Sequence, residues 1–329
     1  MLLFQETNAS STNHTKYRRS SQPFLELKID GISLSNSVNT KAFGSVKIML
    51  QGIMSAQEQF KAQPTDIFIC SHPKSGTTWL KALSFAILTR NVFLSSTNPL
   101  LSELPHDVVP FIETLSFTDI TSRDPELPLL STHMPYTSLP KSVVECKCKI
   151  IYICRDPKDS FVSMWHFAGK LRGTRQKPFH WRRHVRNFVK DSIMVALTGI
   201  MFWVIGKQAF NFLRECSSSN MKICKMTPSP MSGEWQSSWV ALSPWKKRQG
   251  LVQKVVDLCS FEILSNLEVN KSKKHSSSLR HIWKVEKNAF FRKGKVGDWE
   301  NYLTADMAAT IDQITEQKFS GSGLSFKAP

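Results

Sequence analysis

The chain has no run of about 18 uncharged apolar residues. The longest candidate, 193–206, is 14 residues long and is closed by Lys207, too short to span a bilayer. The first four residues, Met1-Leu2-Leu3-Phe4, give way to polar Gln5, so the ~7–15-residue apolar core of a secretory signal is missing. No Cys-x-x-Cys pair occurs, and the seven cysteines are odd in number, which argues against both a disulfide framework and a zinc site and predicts no metal. A Gly-x-x-x-x-Gly-Lys-Ser/Thr loop is also absent. These absences together predict a soluble cytoplasmic protein with reduced thiols. What is present, 41% apolar residues in 329, suffices for one large domain.

Acidic residues are scarce in one place. Residues 171–250 carry 14 of the 43 Lys and Arg but only three of the 26 Asp and Glu, so +11 of the net +17 sits in that window. An evenly basic protein would suggest nucleic acid or an anionic membrane surface. Here the basicity is local, and that argues against both partners. The same window holds five of the nine tryptophans and five of the eleven methionines, a mixture unlike either a packed core or a solvated linker.

Residues 1–46 are rich in Ser, Asn and Thr without a sustained period, which predicts a disordered arm ahead of a single domain over 47–329. Residues 66–70 read as a short buried strand, 71–76 as a loop and 77–89 as a helix with Trp79, Leu80, Leu83 and Phe85 among its apolar positions. A second strand ends near Thr132. A third, 149–154, is apolar on both faces, as a central parallel strand is. Pro157 stands in the first turn of a helix over 158–170, where its missing N–H costs little. Further helices are predicted over 257–270 and 304–319. Alternating strands and helices imply an α/β fold, a central parallel sheet flanked by helices.

The turn His72-Pro73-Lys74-Ser75-Gly76-Thr77-Thr78-Trp79 has the make-up of an anion cradle. Backbone N–H groups near Gly76 and in the first helical turn would point at the anion, Lys74 would add charge, and Thr77 and Thr78 would add hydroxyls. Alone, such a turn fits an ordinary strand–helix connection equally well. Arg155 at the end of the third strand and Ser163 two helical turns on could face a second phosphate. Their bland counterpart is an Arg155–Asp156 surface pair beside a solvated serine. Arg292-Lys293-Gly294 is a third basic cluster, whose glycine would let backbone approach a ligand closely.

Taken together, Pro73-Lys74-Ser75-Gly76-Thr77-Thr78-Trp79-Leu80, Tyr152-Ile153-Cys154-Arg155-Asp156-Pro157-Lys158-Asp159 with Ser163, and Phe291-Arg292-Lys293-Gly294-Lys295-Val296-Gly297-Asp298-Trp299 resemble the three signature blocks of cytosolic sulfotransferases, in the right order. The wording is nearest to plant members acting on small hydroxylated molecules. The resemblance covers about 50–170 and 251–329 and implies a P-loop-like sulfotransferase fold. It implies the cofactor 3'-phosphoadenosine 5'-phosphosulfate (PAPS), with Lys74, Ser75, Gly76, Thr77 and Thr78 on the 5'-phosphosulfate and Trp79 on the adenine. Arg155, Ser163, Arg292, Lys293 and Gly294 would hold the 3'-phosphate, and Ser260 and Phe261 would line the adenine pocket. Ser131-Thr132-His133-Met134-Pro135 matches the segment of the family's general base, which makes His133 and Lys74 the catalytic pair. The resemblance is compatible with a homodimer. An imidazole suits removal of a hydroxyl proton at neutral pH, and Lys74 with the loop N–H groups would stabilise charge growing on the bridging oxygen.

Between Gly173 and about Arg248 the resemblance stops. A shift of one base accounts for the break. Begun at the last base of the Ile193 codon, the shifted frame permits Tyr-Gly-Ser-Pro-Tyr-Trp-Asp-His-Val-Leu-Gly-Tyr-Trp-Lys-Ala-Ser, in which the first Gly and Val-Leu-Gly are forced. Across 215–224 the same shift permits Val-Phe-Phe-Phe-Lys-Tyr-Glu-Asp-Met, with the glutamate forced. Both strings resemble family blocks, so 174–248 resembles a frame-shifted translation. Three other readings compete with a working sulfotransferase: a catalytically dead homologue, a basic nucleic-acid-binding protein whose affinity would fall steeply with salt, and a P-loop kinase, for which neither the post-glycine lysine nor a metal-binding acid is present.

Overall fold

Three of the expected strands form where their apolar runs lie. In the computed structural model, which describes residues 40–93, 96–115, 127–134, 138–146, 148–171, 221–225, 249–272 and 286–319, they are β1 (Ile67–Ser71), β2 (Leu129–Thr132) and β3 (Lys149–Cys154), joined by β4 (Met221–Lys225). The sheet order is β2-β1-β3-β4. Every pairing is parallel, with Ile69 opposite Ser131 and Ile151, and Tyr152 opposite Ile223.

Alternation along each strand divides the core in two. Phe68 and Cys70, Leu130, and Ile150, Tyr152 and Cys154 face one side, packing with Ala56 and Phe60 at the end of helix α1 (Thr40–Gln59) and Val143 of α4 (Lys141–Glu145). Ile69, Leu129, Ile151 and Ile153 face the other, against Leu80, Leu83 and Phe85 of α2 (Thr77–Leu88) and Val255 of α6 (Gln249–Leu258). Between α2 and α4 comes the short α3 (Pro105–Val108). Helix α5 (Pro157–Leu171) follows β3, with Asp156 Oδ1 accepting from Lys158 N at 2.8 Å in its first turn. Phe161 and Val162 of α5 pack on Leu303, Met307 and Ile311, the latter two from the last helix, α9 (Ala305–Phe319).

Two expectations meet a different outcome. Helix α1 begins at Thr40, inside the stretch read as an arm; once its buried C-terminal end is anchored, adding N-terminal turns costs little compared with nucleation. The single helix expected over 257–270 is instead α6 followed by α7 (Phe261–Asn266) and α8 (Glu268–Lys271). The break falls at Ser260, whose side chain caps α7 by accepting from Ile263 N at 3.2 Å. A strand also forms at Met221–Lys225, where the written sequence carries no continuous apolar run, because the open edge of β3 needs backbone partners whatever side chains supply them. Residues 1–39 and, apart from β4 and the ends of α5 and α6, the 171–250 window lie outside the described residues.

Candidate active site

Parallel strands bring all their carboxyl ends to one edge, and there the signature blocks meet. β1 runs into the cradle turn, β2 ends one residue before His133, and β3 ends one before Arg155. Within the cradle Lys74 is held at φ 68° and Gly76 at φ 108°. A left-handed lysine costs of order 1–3 kcal/mol and persists where the surroundings enforce it; the glycine adopts that conformation freely. Gly76 is also the N-cap of α2 and brings no capping side chain, so no residue of the cap competes for the first-turn N–H groups. Ser75 N donates to His72 O at 3.2 Å, Ser75 Oγ lies 3.4 Å from Ser160 Oγ, and Thr77 Oγ1 lies 2.7 Å from Ser71 Oγ.

The charge around Lys74 is one-sided. Its ammonium sits 4.2 Å over the Phe167 ring and 5.7 Å from that of Phe290. Burial lowers its pKa to about 7, assisted by the positive charges of Lys170, Arg292 and Arg155. Three further cations close enough to disfavour the Lys74 cation make this a setting suited to an anion.

His133 is held as a neutral imidazole of one tautomer. Its Nδ1–H donates to Ser71 O at 2.7 Å, which leaves Nε2 as the acceptor. Its own N–H donates to Glu113 Oε1 at 2.8 Å, and its ring lies 4.5 Å from that of Phe111. Burial pushes its pKa down to about 3, with Lys81, His72 and Lys74 adding to the effect, so the ring is neutral through the physiological range. Burial conversely raises the Glu113 carboxyl above its usual range.

The match to known proteins follows this geometry. The model of the sulfotransferase domain family matches residues 64–202 and 241–323. Cytosolic sulfotransferase 17 of Arabidopsis thaliana is 42% identical over 285 residues, 84% of this chain and 80% of the relative. The chain belongs to the sulfotransferase family. The flavonol 3-sulfotransferase of Flaveria bidentis is 37% identical over 284 residues, covering 84% of this chain and 89% of the relative. Among solved structures, a putative steroid sulphotransferase of Arabidopsis thaliana aligns at 31% identity with TM-score 0.52, covering 85% of each chain. A mouse sulfotransferase complexed with PAP aligns at 22% identity with TM-score 0.62, covering 90% of this chain and 95% of that one, and shares the fold.

Within this sulfotransferase the remaining site residues fall into two groups. Arg155 pairs with Asp159 at 3.3 Å, not with Asp156 as the bland reading had it, and also donates to Lys295 O; its Nε is buried with no partner among the described residues. Asp156 is engaged with Lys158 instead, at 3.4 Å. Asp159, fully buried, accepts from Gly297 N at 2.8 Å and Trp299 N at 3.2 Å, so one carboxylate clamps the third signature block to α5 and orients Arg155. Ser163 is buried on the same helix. Arg292 and Lys293 are turned to Asp298, Lys293 Nζ at 2.8 Å. Burial raises the Asp298 pKa, but hydrogen bonds from Lys293 and Arg292 outweigh it and hold the group at about 2.

Trp79 and Phe291 pack on the same core cluster, while Phe261 is 37% exposed, its ring 6.3 Å from that of Phe291. Ser260 spends its hydroxyl on the α7 cap. Gly294 has φ +64°, and a Cβ there would meet the Phe261 ring at 2.5 Å. Gly294→Ala should therefore displace Phe261, at a left-handed backbone cost of order 1–3 kcal/mol. Weaker binding of PAP with a melting temperature within a few degrees of wild type is the expected result; unchanged affinity would show that Phe261 does not line the adenine pocket.

Sequence reasoning missed Asp159, Glu113, Lys81 and His106. Asp159 was within reach, four residues after Arg155 on one helix. Lys81 is fully buried on α2, donating from Nζ to Val109 O at 2.7 Å and lying 3.2 Å over the Phe111 ring. A lysine among apolar neighbours gives no such signal in the sequence.

Proposed function

We propose that this chain transfers a sulfuryl group from PAPS to a hydroxyl of a small, largely apolar acceptor of flavonoid, steroid or hormone type, in the cytoplasm. The observation carrying the reading is that Ser71 ties base to cradle: its carbonyl fixes the His133 tautomer and its hydroxyl meets Thr77. When bound, PAPS supplies the activated sulfuryl group on its 5'-phosphate. The four clustered cations and uncapped α2 turn fit such an anion. Lys74 and the α2 N–H groups hold the phosphosulfate and stabilise the charge that develops beside it. His133 Nε2 takes the acceptor's hydroxyl proton. Arg155, oriented by Asp159, holds the 3'-phosphate with Ser163, Arg292, Lys293 and Gly294, and Trp79 and Phe261 flank the adenine beside Ser260. Relatives named flavonol sulfotransferases support the acceptor class, and those named cytosolic sulfotransferases support the compartment.

Calorimetry with PAP tests the cofactor site. Lys74→Ala and Arg155→Ala each remove a charge-assisted contact worth about 1.5–3 kcal/mol, a loss of ~10–100-fold in affinity. The wild-type Lys74, half deprotonated near pH 7 when free, is stabilised as a cation by the bound anion, so binding at pH 8 should take up a proton, and affinity should fall as pH rises above 7. Unchanged affinity in both variants would remove the assignment.

The middle segment favours a companion proposal, that the written 174–248 is a frame-shifted reading of a family sequence. The family match leaves 203–240 uncovered, which includes the block whose shifted reading is Lys-Tyr-Glu-Asp. It extends to 202, further than the signature blocks alone suggested.

A further inference from the structure

A second buried histidine stands beside the cradle, on α3. His106 is 3% exposed, and its Nε2 lies 2.9 Å from Thr78 Oγ1, the hydroxyl's one hydrogen-bond partner among the described residues. The ring is stacked at 5.3 Å and 22° on Phe111 and packed at 4.4 Å against Phe290. Its Nδ1 is buried with no partner among the described residues. Burial, and the neighbouring Lys81, His133 and Lys74, disfavour the cation, so the ring carries a single N–H. If that hydrogen is on Nδ1, a donor is buried without an acceptor and Nε2 takes the Thr78 hydrogen, leaving the hydroxyl to present lone pairs to an anion. If it is on Nε2, the buried Nδ1 is a bare acceptor, the less costly orphan, and the Thr78 hydrogen is free.

We propose that His106 is a positioning residue which donates from Nε2 to Thr78 Oγ1 and so commits the Thr78 O–H to the anion in the cradle. The site is thereby tuned through a residue outside all three signature blocks. Its place is secured from both sides, by the buried Leu104 and Pro105 before it and by the Asp107–Lys287 ion pair at 3.3 Å after it. This inference rests on the proposed cofactor site, and the test separates the two.

PAP affinity is measured by calorimetry on the full chain in frame-restored form, with the written chain alongside, for Thr78→Val, His106→Met, the double variant and His106→Gln. Thr78→Val and His106→Met should each weaken binding about tenfold. In the Thr78→Val background His106→Met should add less than twofold, since the hydroxyl it aims is gone. His106→Gln, whose amide N–H reaches the Nε2 position, should recover affinity to within about threefold of wild type. Additive losses in the double variant, or a His106→Gln variant as weak as His106→Met, would overturn the inference while leaving the cofactor site standing. If neither Thr78→Val nor Lys74→Ala weakens binding, the cofactor site itself is wrong. Should His106→Met fail to melt cooperatively, His106→Asn, too short to reach Thr78, replaces it in the cycle.

Discussion

Replacing His133 by alanine is expected to cut turnover by ~10²–10⁴ while leaving PAP affinity nearly unchanged. The reason is a division of labour in the site. His133 touches the cradle through Ser71, its Nδ1 lying 2.7 Å from the carbonyl and 3.4 Å from the hydroxyl, and contributes no charge to the anion site because its ring is neutral. Its loss therefore removes the acceptor of the hydroxyl proton and little of the cofactor's binding. Its pKa of about 3 also means that no acid limb from this group appears in a pH–rate profile between pH 6 and 8, since the base is already unprotonated there. The same burial carries a stability consequence. An unfolded histidine binds a proton below about 6.5 and the folded one does not until about 3, so stability falls as pH drops through that window. Single-turnover and steady-state rates for the alanine variant settle the role; a variant that keeps most of its turnover would reduce His133 to a structural residue.

The frame-restored chain should be soluble and active where the written one is neither. The reason lies in what fills the sheet rather than in whether the sheet closes. In the written chain β4 still pairs with β3, from Ile150 opposite Met221 to Cys154 opposite Lys225, because backbone hydrogen bonding is indifferent to side chains. Side-chain content is a different matter. β3 reads Lys-Ile-Ile-Tyr-Ile-Cys and is buried at five of six positions, and the shifted frame's Val-Phe-Phe-Phe falls at 215–219, immediately before β4, which as written reads Met-Lys-Ile-Cys-Lys. If those phenylalanines join the sheet in the restored chain, each buried ring is worth ~3–5 kcal/mol against a total stability of ~5–15 kcal/mol, and the written chain lacks them. The apolar stretch 193–206 of the written chain adds an aggregation hazard. Expressing both chains side by side, with transcript sequencing across codons 170–250, decides the point. A written chain that is soluble, melts cooperatively and transfers sulfate as fast as the restored one would make 171–250 a genuine insert.

Short apolar runs bounded by turn residues determined β1 and β3, and the spacing of Leu80, Leu83 and Phe85 determined α2, since a strand buried on both faces and a helix buried on one leave period signals in the chain. The loop chemistry was legible as well: Lys, Ser, Gly and Thr at a strand–helix junction can do little else but face solvent or an anion. What no periodicity carries is the partner of a charged or polar side chain. Arg155 read equally well as paired with Asp156 or as free for phosphate; only the helix that starts at Pro157 turns Asp159 beneath it and commits that carboxylate to the N–H groups of Gly297 and Trp299. His133 was singled out by its motif, but its tautomer was decided by the end of β1, 62 residues away in sequence, through Ser71 O. Lys81, Glu113 and His106 stayed hidden for the same reason. Their side chains take meaning from neighbours that are distant along the chain, and the parallel sheet, by bringing the carboxyl ends of β1, β2 and β3 to one edge, is what makes them neighbours.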